Sequence, residues 1–110
     1  MFEALHDMGE PIEALRGLRG LLAPGAPVLV ADERVEDVFT APAPDVERFQ
    51  YAYSVLHCLP ATMAESTSVA SGTVLRVPMV RQWARDAGYA ALEALSIENG
   101  FWRFYRLDAH

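Results

Sequence analysis

The sequence predicts an α/β fold: one strand of parallel-sheet type and a C-terminal antiparallel hairpin, flanked by about three helices. Three observations carry this. An amphipathic pattern over 11–22 runs through Pro24-Gly25 into the short apolar run Val28-Leu29-Val30-Ala31, the grammar of an αβ half-unit. Two β-prone runs near the C-terminus flank Asn99-Gly100, a strong short-range hairpin signal. Finally, 52% hydrophobic and 22% charged residues in a chain of 110 describe one globular domain with a sizeable core.

Taken in order, residues 1–5 read as half an apolar element that opens mid-fold and runs into His6-Asp7-Met8-Gly9-Glu10-Pro11. Asp7 and Glu10 have capping-box spacing, and Pro11 suits a first turn. In the helix 11–22, Ile12, Leu15, Leu18 and Leu22 recur at helical spacing. Gly17 and Gly20 inside it each cost about 1 kcal/mol relative to alanine, which suggests close packing on a flat surface such as a sheet.

The strand 28–31 ends at Asp32-Glu33, and in open α/β sheets ligands bind at that end of a strand. A second helix begins at Asp45, a plausible N-cap, and runs to about Cys58, where Leu59-Pro60 breaks it. Its apolar residues lie on nearly all sides, so it is expected to be buried on more than one face. Residues 61–72, rich in Ser, Thr and Ala, read as a loop. A third helix opens at Val77-Pro78, carries the stripe Val80, Trp83, Ala84, Ala87, and is capped by Gly88. Strands are predicted over 91–97 and 101–107.

Charge and cysteine content narrow the partners. Nine basic and fifteen acidic side chains leave a net charge of −6, which offers a nucleic-acid backbone no electrostatic footprint. The one cysteine, Cys58, excludes an internal disulfide. The sequence contains neither an apolar run of membrane-spanning length nor a secretory layout, so a cytoplasmic location is the expectation. His57-Cys58 without a second ligand pair gives no zinc spacing, so no metal is expected.

Leu5-His6-Asp7-Met8, the turn Leu22-Ala23-Pro24-Gly25-Ala26-Pro27 before Val28-Leu29-Val30-Ala31-Asp32, the helix end Ala84-Arg85-Asp86-Ala87-Gly88-Tyr89 and the closing hairpin together carry a resemblance. They resemble the C-terminal half of a class I S-adenosylmethionine-dependent methyltransferase, most closely the small-molecule O-methyltransferases with His-Asp after the fourth strand. The resemblance covers essentially the whole chain. It implies that residues 1–110 form a single partial domain of a Rossmann-like sheet, with 28–32 as fifth strand, 91–97 as sixth and 102–107 as an antiparallel seventh inserted beside the fifth. The first four strands, and with them the glycine-rich loop that cradles the cofactor, have no counterpart here.

By the same resemblance, His6 falls on the general base that removes the acceptor's hydroxyl proton, and Asp32 on the acid that orients it. The chemistry is sound: methyl transfer from a sulfonium needs an activated oxygen, and imidazole titrates nearest working pH. A further acid expected before the last helix would fall at 73–76, where there is none. Tyr51, Tyr53 and His57 are candidates for a small-molecule acceptor pocket, with helix packing the alternative. Asp7 has the alternative of a helix cap, Glu33 could replace Asp32, and Trp83 and Trp102 read as core.

Two function classes follow. One is the C-terminal part of an O-methyltransferase, inactive as an isolated chain and completed by a chain supplying the N-terminal half. The other is a non-enzymatic assembly module that forms a homodimer through the open edge of strand 28–31.

Overall fold

The computed structural model describes residues 1–65 and 69–110. Its order is a 3₁₀ turn at Leu5–Asp7, helix α1 (Pro11–Gly20), strand β1 (Val28–Glu33), helix α2 (Asp45–Tyr53), a π-helical turn at Ser54–Cys58, helix α3 (Leu59–Glu65), helix α4 (Val77–Asp86), and strands β2 (Ala91–Ala94) and β3 (Trp102–Asp108). The sheet order is β1-β3-β2, and β3 runs antiparallel to both neighbours. Val30 pairs with Tyr105 across β1 and β3, and Leu92 with Leu107 across β2 and β3.

The helix stripes read from sequence form the core. Leu15 of α1 and Val80, Trp83, Ala84 and Ala87, on or just beyond α4, are buried together with Val30, Tyr105 and Leu107 from one face of the sheet. Burying one such leucine completely is worth about 1.5–3 kcal/mol. Two exchanges of hydrogen bonds close α4: the Gly88 N–H donates to the Arg85 carbonyl and the Tyr89 N–H to the Ala84 carbonyl at 3.0 Å. This Schellman geometry needs the left-handed conformation that Gly88 adopts, φ 90°.

Several local expectations are corrected. Strand β1 includes Asp32 and Glu33, which pair with Arg103 and Trp102 instead of following the strand. Its outer edge is not left open. The Met1 carbonyl accepts from the Ala31 N–H, and the Glu3 N–H donates to the Ala31 carbonyl, each at 2.9 Å. Phe2 and Ala31 thereby form a parallel bridge. Residues 1–3 therefore occupy the position where a strand partner was expected.

Leu59-Pro60 does not end the second helix. Proline has no N–H to donate to a carbonyl four residues back. The chain widens just before it, the Leu59 N–H reaching back five residues to the Ser54 carbonyl, and continues as α3 to Glu65. The expected loop 61–72 is thus helical over its first five residues, and its positions 66–68 lie outside the described residues. The expectation that this helix is buried on more than one face also fails, because Phe49, Tyr53, Val55 and Leu56 are all exposed.

Other differences are smaller. A Cβ added at Gly17 or Gly20 would meet nothing within 4 Å, so close packing is not their reason. Asp7 makes no cap to α1, whose N-cap is Glu10, and Asp45 is the first residue of α2 after an N-cap at Pro44. Strand β2 stops at Ala94, and Asn99 shapes the longer connection by accepting from the Phe101 and Trp102 N–H groups at 2.9 and 2.8 Å. No helix among the described residues is long and apolar enough to cross a membrane.

Candidate functional site

His6 sits in the 3₁₀ turn that follows the parallel contact of residues 1–3 with β1. That contact and the fully buried Leu5 fix the turn over the end of the strand. The His6 ring is 3% exposed as a residue, and Asp32 on β1 is 1% exposed. Their side chains meet, Nδ1 of His6 lying 2.5 Å from Oδ1 of Asp32. Oδ2 accepts from the His6 backbone N–H at 3.2 Å, and Oδ1 also accepts from the Glu33 N–H at 3.1 Å. The structure thus brings together the two residues that the resemblance assigned to base and orienting acid.

Glu33 joins them from the next position. Its Oε2 is 3.0 Å from His6 Nδ1 but is not aligned for a hydrogen bond, and it is buried without a partner. Nδ1 carries a single proton, and the closer Asp32 takes it. The other ring nitrogen, Nε2, lies 3.2 Å from the half-exposed Asp7 carboxylate. Asp7, read as a helix cap, is instead a member of this cluster.

The electrostatics follow from that geometry. Burial opposes the charge on His6, but the Asp32 hydrogen bond and the nearby carboxylates of Asp32 and Glu33 outweigh it and raise the imidazole from 6.5 to about 11. Burial pushes Asp32 up, and the His6 hydrogen bond with its positive charge more than reverses this, holding the carboxyl below its ordinary value. For Glu33, burial and the neighbouring Asp32 outweigh His6, so its carboxyl is raised. At neutral pH the pair is an imidazolium facing a carboxylate.

Beside it lies a cleft of about 390 Å³ bordered by His6, Asp7 and Glu33 and by Phe49, Gln50, Tyr53, His57, Cys58 and Phe101. Of the three acceptor-pocket candidates, Tyr53 and His57 line this cleft and Tyr51 does not. Helical spacing is the reason: Phe49, Tyr53 and His57 follow one another at four-residue intervals, whereas Tyr51 shares a face with Glu47. There the Tyr51 hydroxyl accepts from Arg76 Nη2 at 2.9 Å, and the same nitrogen donates to Glu47 Oε1 at 2.6 Å. Glu47 Oε2 accepts from the Glu36 N–H. Arg76, in the span where an acid was expected, therefore ties α2 to the start of α4.

Sequence reasoning missed Phe49, Gln50, Cys58 and Phe101 as cleft residues. The four-residue interval through Phe49, Tyr53 and His57 was a usable signal for the first. Phe101 carried none, since only the fold of the β2–β3 connection places it there.

Comparison with solved structures finds an O-methyltransferase family protein from Burkholderia thailandensis, with a TM-score of 0.63 and 22% sequence identity. The fold is methyltransferase-like. The match covers 98% of this chain and 28% of that one, so the chain spans under a third of the length of the protein it resembles. In the sheet order β1-β3-β2 the antiparallel strand β3 lies beside β1. No family model matches the sequence, and no curated protein does.

The O-methyltransferase resemblance implies S-adenosylmethionine, and the described residues supply no cradle for its methionine part. A methionine cradle requires a glycine-rich loop between a strand and the following helix. Among the described residues the one such connection, 34–44 between β1 and α2, contains no glycine.

Proposed function

We propose that this chain is the acceptor-binding and proton-abstracting part of a small-molecule O-methyltransferase, the methyl donor being held by residues outside 1–110. The observation that carries the reading is the buried His6–Asp32 pair at 2.5 Å beside an aromatic-lined cleft. Asp32 holds the proton on Nδ1 and so leaves Nε2 as the nitrogen that can face an acceptor hydroxyl. In the neutral ring Nε2 takes the hydroxyl proton, and the imidazolium that forms is stabilised by the carboxylate already against it. The acceptor oxygen gains the electron pair of its O–H bond and becomes the nucleophile. Phe49, Tyr53 and Phe101 suit a planar aromatic acceptor, with Gln50 and His57 for polar substituents.

The raised pKa of His6 has a direct consequence. The resting imidazolium cannot accept a proton, so base-limited transfer rises with pH as the ring deprotonates. In the full gene product, His6→Ala lowers methyl transfer to a hydroxylated aromatic by about 10²–10⁴-fold. Unchanged transfer removes His6 as the base. Residues 1–110 alone are expected not to bind S-adenosylmethionine, and micromolar binding in a calorimetric titration would overturn the division of labour.

A second reading, a non-enzymatic assembly module, is favoured by one observation. Leu56 is 82% exposed and Val55 65%, on a helix that also exposes Phe49 and Met63. A homodimer through this face, or docking of a chain that carries the donor half, would cover it. A sharp monomer in sedimentation at high concentration counts against the homodimer.

A further inference from the structure

We propose that His6, Asp7 and Cys58 form a binding site for a soft divalent cation, zinc(II) above all, on the wall of the same cleft. A ring nitrogen of His6, a carboxylate oxygen of Asp7 and the sulfur of Cys58 lie within 4.8 Å of one another. His6 Nε2 and Asp7 Oδ1 are already 3.2 Å apart. Tetrahedral zinc, with bonds of about 2.0–2.3 Å, sets its ligand atoms about 3.3–3.6 Å from one another. The nitrogen–oxygen edge is therefore nearly formed, and the sulfur edge closes with a movement of about 1 Å. The half-exposed Asp7 side chain is free to close the oxygen–sulfur edge.

The donor set also fits in kind. Nitrogen, oxygen and thiolate sulfur from three side chains, with a fourth position facing a cleft, is the pattern of an open zinc site. Asp32 completes it from behind: it accepts from Nδ1 and holds that proton, so Nε2 is the nitrogen that gives up its proton to the solvent and its lone pair to the metal, the carboxylate–histidine–metal relay common to such sites. The alternative cluster, His6 with Asp32 and Glu33, is a poorer candidate. The Asp32 oxygens there already accept three N–H groups, which a metal would have to displace. On binding, zinc takes the thiolate of Cys58 and the Nε2 lone pair of His6, and both the thiol proton and the Nε2 proton of the resting imidazolium leave to solvent.

Occupancy of Nε2 by zinc and its use as a base exclude one another, so the ion is an inhibitor of proton abstraction. This consequence rests on the base reading of His6; the binding itself does not.

The test is a titration of metal-free protein with cobalt(II) and then zinc(II). One equivalent of cobalt is expected to give a thiolate-to-cobalt charge-transfer band with visible bands of four-coordinate strength, and zinc is expected to abolish both. Cys58→Ser removes the charge-transfer band. Asp7→Asn, a half-exposed position where folding is not at stake, weakens zinc binding by about tenfold or more. Absence of the band in the wild-type protein, or zinc affinity unchanged in Asp7→Asn and Cys58→Ser, overturns the proposal. If zinc binds as stated yet leaves methyl transfer by the full gene product untouched, the metal site stands and the base reading fails.

Discussion

Replacing Asp32 with asparagine tests the centre of this site, because the two side chains have the same shape and differ only in charge and hydrogen-bond polarity. The Asp32 carboxylate accepts three N–H groups: His6 Nδ1 at 2.5 Å, the Glu33 backbone at 3.1 Å and the His6 backbone at 3.2 Å. An amide offers one oxygen and one donor in place of two oxygens. In the better of its two orientations the oxygen keeps Nδ1 and the Glu33 N–H, and the His6 N–H faces an NH₂ group. One buried donor left unpaired costs about 1–3 kcal/mol. With the lost charge pairing added, removal of one member of a buried ion pair costs about 3–5 kcal/mol. For a chain of this length 1 kcal/mol corresponds to about 4 °C, so Tm at pH 7 is expected to fall by about 12–20 °C.

The same substitution lowers the His6 pKa, because burial then acts against the imidazolium with one carboxylate fewer to oppose it. Thermal unfolding by circular dichroism and an NMR titration of the His6 ring protons measure the two effects. A Tm within about 4 °C of wild type, with His6 titrating as before, would show that the pair contributes neither stability nor proton affinity, and the argument built on it would fall.

The remaining expectations concern the frame around the site. A Cβ at Gly72 would lie 1.9 Å from Ser54 Oγ, and its φ is 69°; Gly72→Ala therefore adds overpacking to backbone strain and costs about 2–4 kcal/mol in denaturant unfolding. Gly88→Ala meets nothing closer than 3.7 Å and carries strain alone, about 1 kcal/mol, so equal losses at the two positions would refute this distinction. Leu15→Ala empties a fully buried core position and is expected to cost about 2–5 kcal/mol, a loss below 1 kcal/mol being inconsistent with that packing. The Arg76 hydrogen bond holds Glu47 below its ordinary 4.5. Stability from this pair is present above pH 4.5 and is lost as pH falls through the lowered value, so the Tm gap between wild type and Glu47→Gln should close in acid. A gap constant from pH 7 to pH 3 would contradict it.

Much of the frame was legible because it is written in local periodicity. The stripe Val80, Trp83, Ala84, Ala87 is one face of a helix wherever that helix packs, and Gly88 caps it for reasons confined to six residues, 84–89. The run Val28 to Ala31 is a strand because β-branched residues favour it. The motif resemblance went further and set His6 beside Asp32 before any coordinates did. What misled was equally local: Pro60 reads as a helix break, but a π turn over Ser54–Cys58 absorbs it, and Asp7-Glu10 has the spacing of a cap that does not form.

What the sequence by itself determined is therefore the identity and order of α1, β1, α2, α4 and the two C-terminal strands, though not of α3, and, through the resemblance, the pairing of His6 with Asp32. Only the tertiary structure decided which other groups face that pair. Glu33 reaches Nδ1 because the strand runs two residues past its apolar core, and Asp7 reaches Nε2 because its turn is 3₁₀ and stops short of α1. Cys58 arrives from a helix that begins nearly forty residues later in the chain than Asp7. Spacing along a sequence carries hydrogen-bond periodicity, which is a property of neighbours. Proximity between a 3₁₀ turn, a strand end and a π turn depends on how the sheet and helices stack, and that is settled by burial of the core as a whole.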